Sequence, residues 1–179
     1  MTLDDDELGL LTSLAHSPVR NYVIPGLTSS LIGGISPFGT VRLFQNSRDH
    51  QEPITPHSHR FDFVCMVLRG QVRNRMWTET QNENADLYQV KQLDYCGTFG
   101  QYEREDHQVS RWQYRDLTFS AGESYSMKSH EVHSIYFSRG AVVLFFEGPK
   151  LTNHSIALEP VVDGKVIPTL KTEPWMFLR

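Results

Sequence analysis

The feature that most constrains this chain is its punctuation. From Thr40 onward, short runs of β-forming residues follow one another, each closed by a polar or glycine-containing turn. TVRLFQ (40–45) comes first, then a longer run from Phe61 to Glu79, then LYQVKQLDYCG (87–97) and QYEREDHQVSRWQYRDLTF (101–119). Three shorter pieces follow at 124–128, 133–138 and 141–147. Many short strands with regular turns predict a β-sandwich or barrel. A double-sheet jelly roll is one way for such a chain to protect its strand edges.

The run from 61 to 68 carries apolar residues on both parities. Phe61, Phe63, Cys65 and Val67 share one side, and Val64, Met66 and Leu68 share the other. Side chains alternate along a strand, so this pattern predicts a strand buried on both faces or with a covered outer face. Past Gly70, Arg73 and Arg75 open one parity to solvent. Runs 87–97 and 101–119 alternate polar and apolar residues, which predicts a hairpin with one wet side.

Before Thr40 the texture differs. Residues 4–19 read as a short amphipathic helix, with Asp4 to Glu7 at its positive end and Pro18 as its stop. Its leucines would cover one end of the main body. Residues 20–39 are rich in Gly, Ser and Pro and predict irregular or strand-like pieces. The organisation expected is a lead-in (1–39), a barrel (40–149) and a C-terminal extension (150–179). The apolar end of that extension, Trp175 to Phe177, would pack on the barrel or on a partner subunit.

Composition narrows the class. With 39% hydrophobic and 21% charged residues the chain is globular rather than disordered. A net charge of −4 and a pI near 6.0 give no reason to expect nucleic acid. Two cysteines, Cys65 and Cys96, make no disulfide framework and suit a reducing compartment. The acidic N-terminus does not resemble a secretory signal, and no apolar run reaches the ~18 residues of a membrane span. The expected location is the cytoplasm.

Histidines supply the chemistry. His57 and His59 stand two apart just before the long apolar run. In extended chain they face the same side, and neutral imidazole is a ligand for Zn, Fe, Cu and Ni. A second group, His130 and His133, lies at the head of a later strand.

Taken together, these residues resemble the cupin superfamily. Its first motif is His-x-His, three or four residues, usually Glu, six residues and Gly. Here that maps onto His57, His59, Phe63 and Gly70. The second motif is Gly, five residues, Pro-x-Gly, two residues, His, three residues and Asn. It maps onto Gly122, Lys128, His130, His133 and Phe137. The resemblance spans residues 40–149. It implies an all-β, double-stranded β-helix (the cupin jelly-roll barrel) with a short N-terminal helix and an extended C-terminal tail.

The resemblance also implies one divalent metal, Fe(II) first and Zn, Mn or Ni as alternatives. Phe63 stands where the fourth ligand would be, so the implied set is His57, His59 and His133. Three protein ligands leave open positions for substrate. His130 is the alternative to His133, and a bulge after His59 would bring Asp62 inward instead.

Three-histidine iron sites resemble those of thiol dioxygenases, which implies O2 and a small organic substrate, a thiol among the options. In that family a cysteine near the second histidine can crosslink to a tyrosine on the closing strand. Cys65 has a suitable parity, but the closing strand carries Phe145, Phe146 and Glu147 and no tyrosine. Glu147, Tyr125 and Arg42 are the candidate catalytic residues: Glu147 as a base or hydrogen-bond partner, Tyr125 as a barrel residue with its hydroxyl at the edge, and Arg42 as the carboxylate-binding arginine that the resemblance implies. A non-oxidative metal enzyme and a ligand-binding barrel are the competing readings. Cupins often form homodimers, and the apolar tail would suit one.

Overall fold

A computed structural model describes residues 3–35, 39–49, 54–95 and 102–169. Cys96 and the apolar end at Trp175, Met176 and Phe177 lie outside the described residues.

Helix α1 spans Asp5–Leu14. Asp4 caps it: its side chain accepts from the Glu7 amide, and Glu7 accepts from the Asp4 amide in return. This reciprocal cap fixes the start. The end comes earlier than the expected stop at Pro18. Residues His16–Arg20 form strand β1 instead. Proline disfavours helical geometry at the residue before it, and Pro18 is tolerated because β1 is an outer strand.

The strands that follow are β2 (Leu27–Ile35), β3 (Gly39–Asn46), β4 (Phe63–Arg69), β5 (Gln71–Glu79), β6 (Asp86–Tyr95) and β7 (Tyr102–Ser120). After them come β8 (Ser124–Met127), β9 (Val132–Phe137), β10 (Val142–Glu147), β11 (His154–Val162) and β12 (Lys165–Val166). They form two antiparallel six-stranded sheets. The first has the order β1-β2-β3-β10-β4-β8 and the second β12-β11-β6-β7-β5-β9. Neighbours far apart in sequence alternate between the sheets, which is the double-sheet jelly roll expected.

Two segments read as peripheral are structural. Residues 27–35 pair along β3, and residues 154–162 pair along β6 from His154↔Asp94 to Pro160↔Tyr88. The second sheet therefore includes a strand from the segment expected to be an extension.

The core lies between the sheets. Phe63, Cys65 and Val67 from β4 meet Val72, Ile135, Phe137, Val143 and Phe145 there. The opposite parity of β4 is not covered along its length. Leu8 of α1 packs with Leu43, Leu68 and Val142, while Val64 and Met66 remain 43% and 36% exposed. The helix is too short to cover more than one end of that face. Gly70 makes the tight β4–β5 turn at φ +74°, and an added Cβ would stand 2.8 Å from Ser138 Oγ and 2.9 Å from Ala141 Cα. Only glycine fits both restrictions.

Arg73 and Arg75 lie on the outer face of the second sheet, as their parity predicts. They are not simply solvated. Arg73 stacks on Tyr136, and Arg75 stacks on Tyr114 while forming a two-pronged pair with Asp116 at 2.7 and 2.9 Å. Among the described residues, no helix is long and apolar enough to cross a membrane.

Candidate metal centre and its cavity

The His-x-His segment is not the start of β4. Residues 54–62 cross from one sheet toward the other, and the strand begins only at Phe63. His57 is held by isolated bridges to His133 and to Ala157. Its amide donates to the His133 carbonyl at 2.8 Å, and the His133 amide returns the bond at 2.9 Å. These paired bonds bring the two motifs side by side.

The ligating nitrogens of His57, His59 and His133 all lie within 4.8 Å of one another. His59 Nε2 and His133 Nε2 are 2.9 Å apart. Two nitrogens bound at about 2.1 Å to one ion, at a right angle, would stand about 3 Å apart. The His59–His133 pair therefore has the spacing of two ligands on one ion, with His57 beside it.

The outer ring nitrogens are committed. His57 Nδ1 donates to the Thr55 carbonyl at 2.8 Å, and His133 Nδ1 donates to Asn74 Oδ1 at 2.8 Å. An Nδ1 that donates leaves an Nε2 lone pair for a metal, the usual way such ligands are oriented. Asn74 itself is 1% exposed, and its amide nitrogen faces the sulfurs of Met76 and Met127 at 3.3 and 3.4 Å. That environment orients its oxygen toward His133.

Burial sets the charge state. It lowers the pKa of His57, partly opposed by the Thr55 hydrogen bond. It holds His59 well below the ordinary histidine value, assisted by His57 and His133, and does the same to His133, assisted by His57. All three rings are neutral at pH 7, the form that binds metals. Phe63 occupies the place of a fourth ligand. Its ring lies 4.8 Å from that of His59, edge-on, and 5.6 Å from that of His133. Among the described residues no carboxylate joins the cluster.

Two β sheets meeting over histidines from both motifs decide the architecture. The fold is the double-sheet jelly roll that the resemblance to cupins implies. Solved structures to which the chain is similar include the hydroxypropylphosphonic acid epoxidase of S. wedmorenis, at 11% identity and TM-score 0.46. That comparison covers 83% of this chain and 58% of the epoxidase, so the chain spans under two thirds of that relative's length. KdgF from Halomonas sp. is 15% identical at TM-score 0.41, with 84% of this chain and 94% of the other covered. An RmlC-like cupin from Shewanella frigidimarina is 16% identical at TM-score 0.38, covering 69% and 77%. No protein-family model matches the chain. No curated protein matches its sequence.

The three histidines open into a cavity of about 600 Å³ between the sheets of the jelly roll. Phe61, Phe63, Phe145 and Ile135 form its apolar wall. Cys65 and Tyr125 also line it, facing each other across β4 and β8. Burial pushes the Cys65 thiol up to about 12, and raises the Tyr125 hydroxyl well above its ordinary value. Among the described residues the Tyr125 hydroxyl has no oxygen or nitrogen partner; its polar neighbour is the Cys65 thiol.

The other expected site residues fall in different places. Glu147 lines the cavity, accepts from Thr40 Oγ1, and pairs with Arg42 Nε at 3.1 Å. Arg42 is not among the lining residues; its charge is directed at Glu147 rather than at the cavity. His130 is exposed. Asp62 turns outward, accepting from the Ser129 amide and Lys128 Nζ at 2.8 and 2.9 Å.

Sequence reasoning missed Asn74 and Arg60. Asn74 could have been found: it sits on the buried parity of β5 between Val72 and Met76, where an unpaired amide would be costly. Arg60 had no such signal. Strand alternation would turn it away from His59, but the chain bends at residues 60 and 61 and brings it to the cavity wall.

Proposed function

We propose that this chain is a metal-dependent cupin enzyme whose site is an Fe(II) ion held by His57, His59 and His133, oxidising a small organic molecule with O2. The observation that carries this reading is the convergence of three neutral imidazoles, with the Nε2 atoms of His59 and His133 facing each other at 2.9 Å. Histidine donors suit iron and leave open positions for substrate and oxygen.

When bound, iron supplies the redox chemistry. The chain's own residues do the rest. Asn74 and the Thr55 carbonyl hold His133 and His57 in the ligating tautomer. Phe61, Phe63 and Phe145 exclude water, which strengthens the electrostatics inside. Glu147, fixed by Arg42 and Thr40, offers an accepting oxygen at the cavity wall. The buried Tyr125 hydroxyl offers a donor. Arg42 is a positioning residue, acting through Glu147.

Three nitrogen donors with an open position also suit zinc, so the second reading is a non-oxidative lyase or isomerase with Zn or Mn as Lewis acid. The test is elemental analysis of the purified protein followed by O2-uptake assays on a panel of small thiols, diols and carboxylates. Stoichiometric iron with substrate-dependent uptake is expected. Zinc or manganese without uptake would favour the second reading. A folded protein that takes up no divalent metal overturns both.

A further inference from the structure

The connection between β1 and β2 forms part of the cavity wall. Residues 21–26 read Asn-Tyr-Val-Ile-Pro-Gly, and Tyr22, Val23, Ile24 and Pro25 all line the cavity. Pro25 is also exposed, and the other three are half-buried. One layer of chain stands there between the interior and solvent.

The two ends of this strap are tied. The Tyr22 amide donates to the Leu27 carbonyl at 2.8 Å, and Asn21 Oδ1 accepts from the Gly26 amide at 2.9 Å. The Gly26 carbonyl accepts from the amide and the hydroxyl of Ser47, each at 3.0 Å. The base is thus fixed to the chain that leaves β3.

The centre is strained. The Ile24 amide donates to the Tyr22 carbonyl at 2.7 Å, which closes a three-residue turn around Val23. Val23 sits in that turn at φ +65°. A turn of this kind with a positive central φ is the rare, strained form, and a β-branched residue there is a genuine outlier. Such a conformation persists only where its surroundings impose it. Here they act through Tyr22, whose ring stacks on that of Phe44 at 5.7 Å. Rings continue inward from Phe44 to Phe145 at 5.4 Å, from Phe145 to Phe63 at 4.7 Å, and from Phe63 to His59 at 4.8 Å. The hydroxyl end of Tyr22 lies inside as well: burial raises its pKa, with Arg42 opposing and Glu147 and Tyr95 adding to the rise.

A fixed base, a strained centre and an apolar seat make an element with two arrangements. We propose that the strap is a gate: it opens at Val23 to admit a small molecule with an apolar body, and closes on that body with Tyr22 and Ile24 packed against it. Turning Val23 out of the left-handed region releases the strain while the ties at both ends hold. The proposal deepens the reading of the metal site, since it names how the substrate enters and which part of it the wall selects, and it rests on that reading for what the ligand is for. The gate itself needs no metal.

The test is stopped-flow fluorescence with N-phenyl-1-naphthylamine, a neutral probe that brightens in apolar surroundings, on the full-length protein as purified. The variants are V23G, V23A, V23P and M66E, with circular dichroism on each. Glycine takes a positive φ without strain and alanine does not. V23G should therefore bind the probe at least about fivefold more slowly than V23A, the size of effect expected from releasing one strained residue. Both variants lack the valine methyls, so lost packing does not separate them. Proline locks φ at about −65° and forbids the closed turn, so V23P should bind faster than the wild type. Met66 lies on the partly exposed outer face of the first sheet, and M66E should bind at the wild-type rate. The proposal is overturned if V23G and V23A associate at the same rate, if V23P slows association, if M66E abolishes the signal, or if the wild type gives none. Should V23P not fold, the comparison of glycine with alanine decides alone. Stoichiometric iron in a protein whose association rates ignore position 23 would overturn the gate and leave the metal reading intact. Opposite shifts in V23G and V23P in a protein that takes up no metal would keep the gate and sink the metal reading.

Discussion

Arg42 and Arg60 are each 8% exposed, yet their surroundings differ in kind. Around Arg42 the chain closes the electrostatics itself: Glu147 accepts from the guanidinium, and Thr40 satisfies the same carboxylate. Around Arg60 only an aromatic ring is supplied. The histidines resemble Arg60 in this respect: the outer nitrogens of His57 and His133 are satisfied, while one ring nitrogen from each of the three lies within 4.8 Å of the others. Burial alone does not distinguish a structural polar group from a functional one. What distinguishes them is whether the protein completes the group or leaves one side for something else.

The comparison can be broken most sharply at the histidines. Replacing His133 by alanine should lower metal affinity by more than about 100-fold, beyond the usual cost of losing a supporting group, while the protein stays folded. Elemental analysis beside circular dichroism checks both halves. Retained stoichiometric metal would mean that the cluster is not the site.

At the arginines the expectation is opposite in sign. Glu147→Gln leaves a buried guanidinium without its carboxylate and should destabilise by about 2–3 kcal/mol in urea titration. Arg60→Met removes a charge the chain does not pair and should shift stability by less than about 1 kcal/mol. Equal losses in the two variants would erase the distinction.

Asn74→Leu tests the outer side of the cluster. It should weaken metal binding by about 10–100-fold, with all three histidines present. Unchanged affinity would show that His133 needs no help to present Nε2.

The smallest effect is that of pH on the metal-free protein. Burial lowers the folded-state pKa of His57, His59 and His133, so the unfolded chain binds more protons below its own value near 6.5. Stability is fully present above that pH and falls as pH drops toward the folded values. Thermal melts between pH 7.5 and 5 should record the decline, and the triple His→Gln variant should flatten it.

Much of this was legible in the sequence because it depends on local alternation. The pieces at 124–128, 133–138 and 141–147 coincide closely with β8, β9 and β10. His57, His59 and His133 could be paired through the two motifs that carry the resemblance to cupins. What failed was long-range. Nothing near Arg42 in sequence announces Glu147, 105 residues away. Strand parity gives the wrong side for Arg60 because the chain leaves strand geometry before it. Residues 154–162 look like a tail because their partner, β6, has enough alternation of its own to suggest a complete hairpin with β7.

The bridge at His57 has a further consequence. That residue pairs with His133 on one side and with Ala157 on the other, so the crossing segment is clamped by chain made a hundred positions later. Non-local pairings of this kind form slowly, since loop closure must precede the contacts that reward it. During synthesis, His57 and His59 emerge long before anything exists to hold them. The pocket at the three histidines is thus among the last parts of the molecule to take shape, and its completion marks the completion of the barrel.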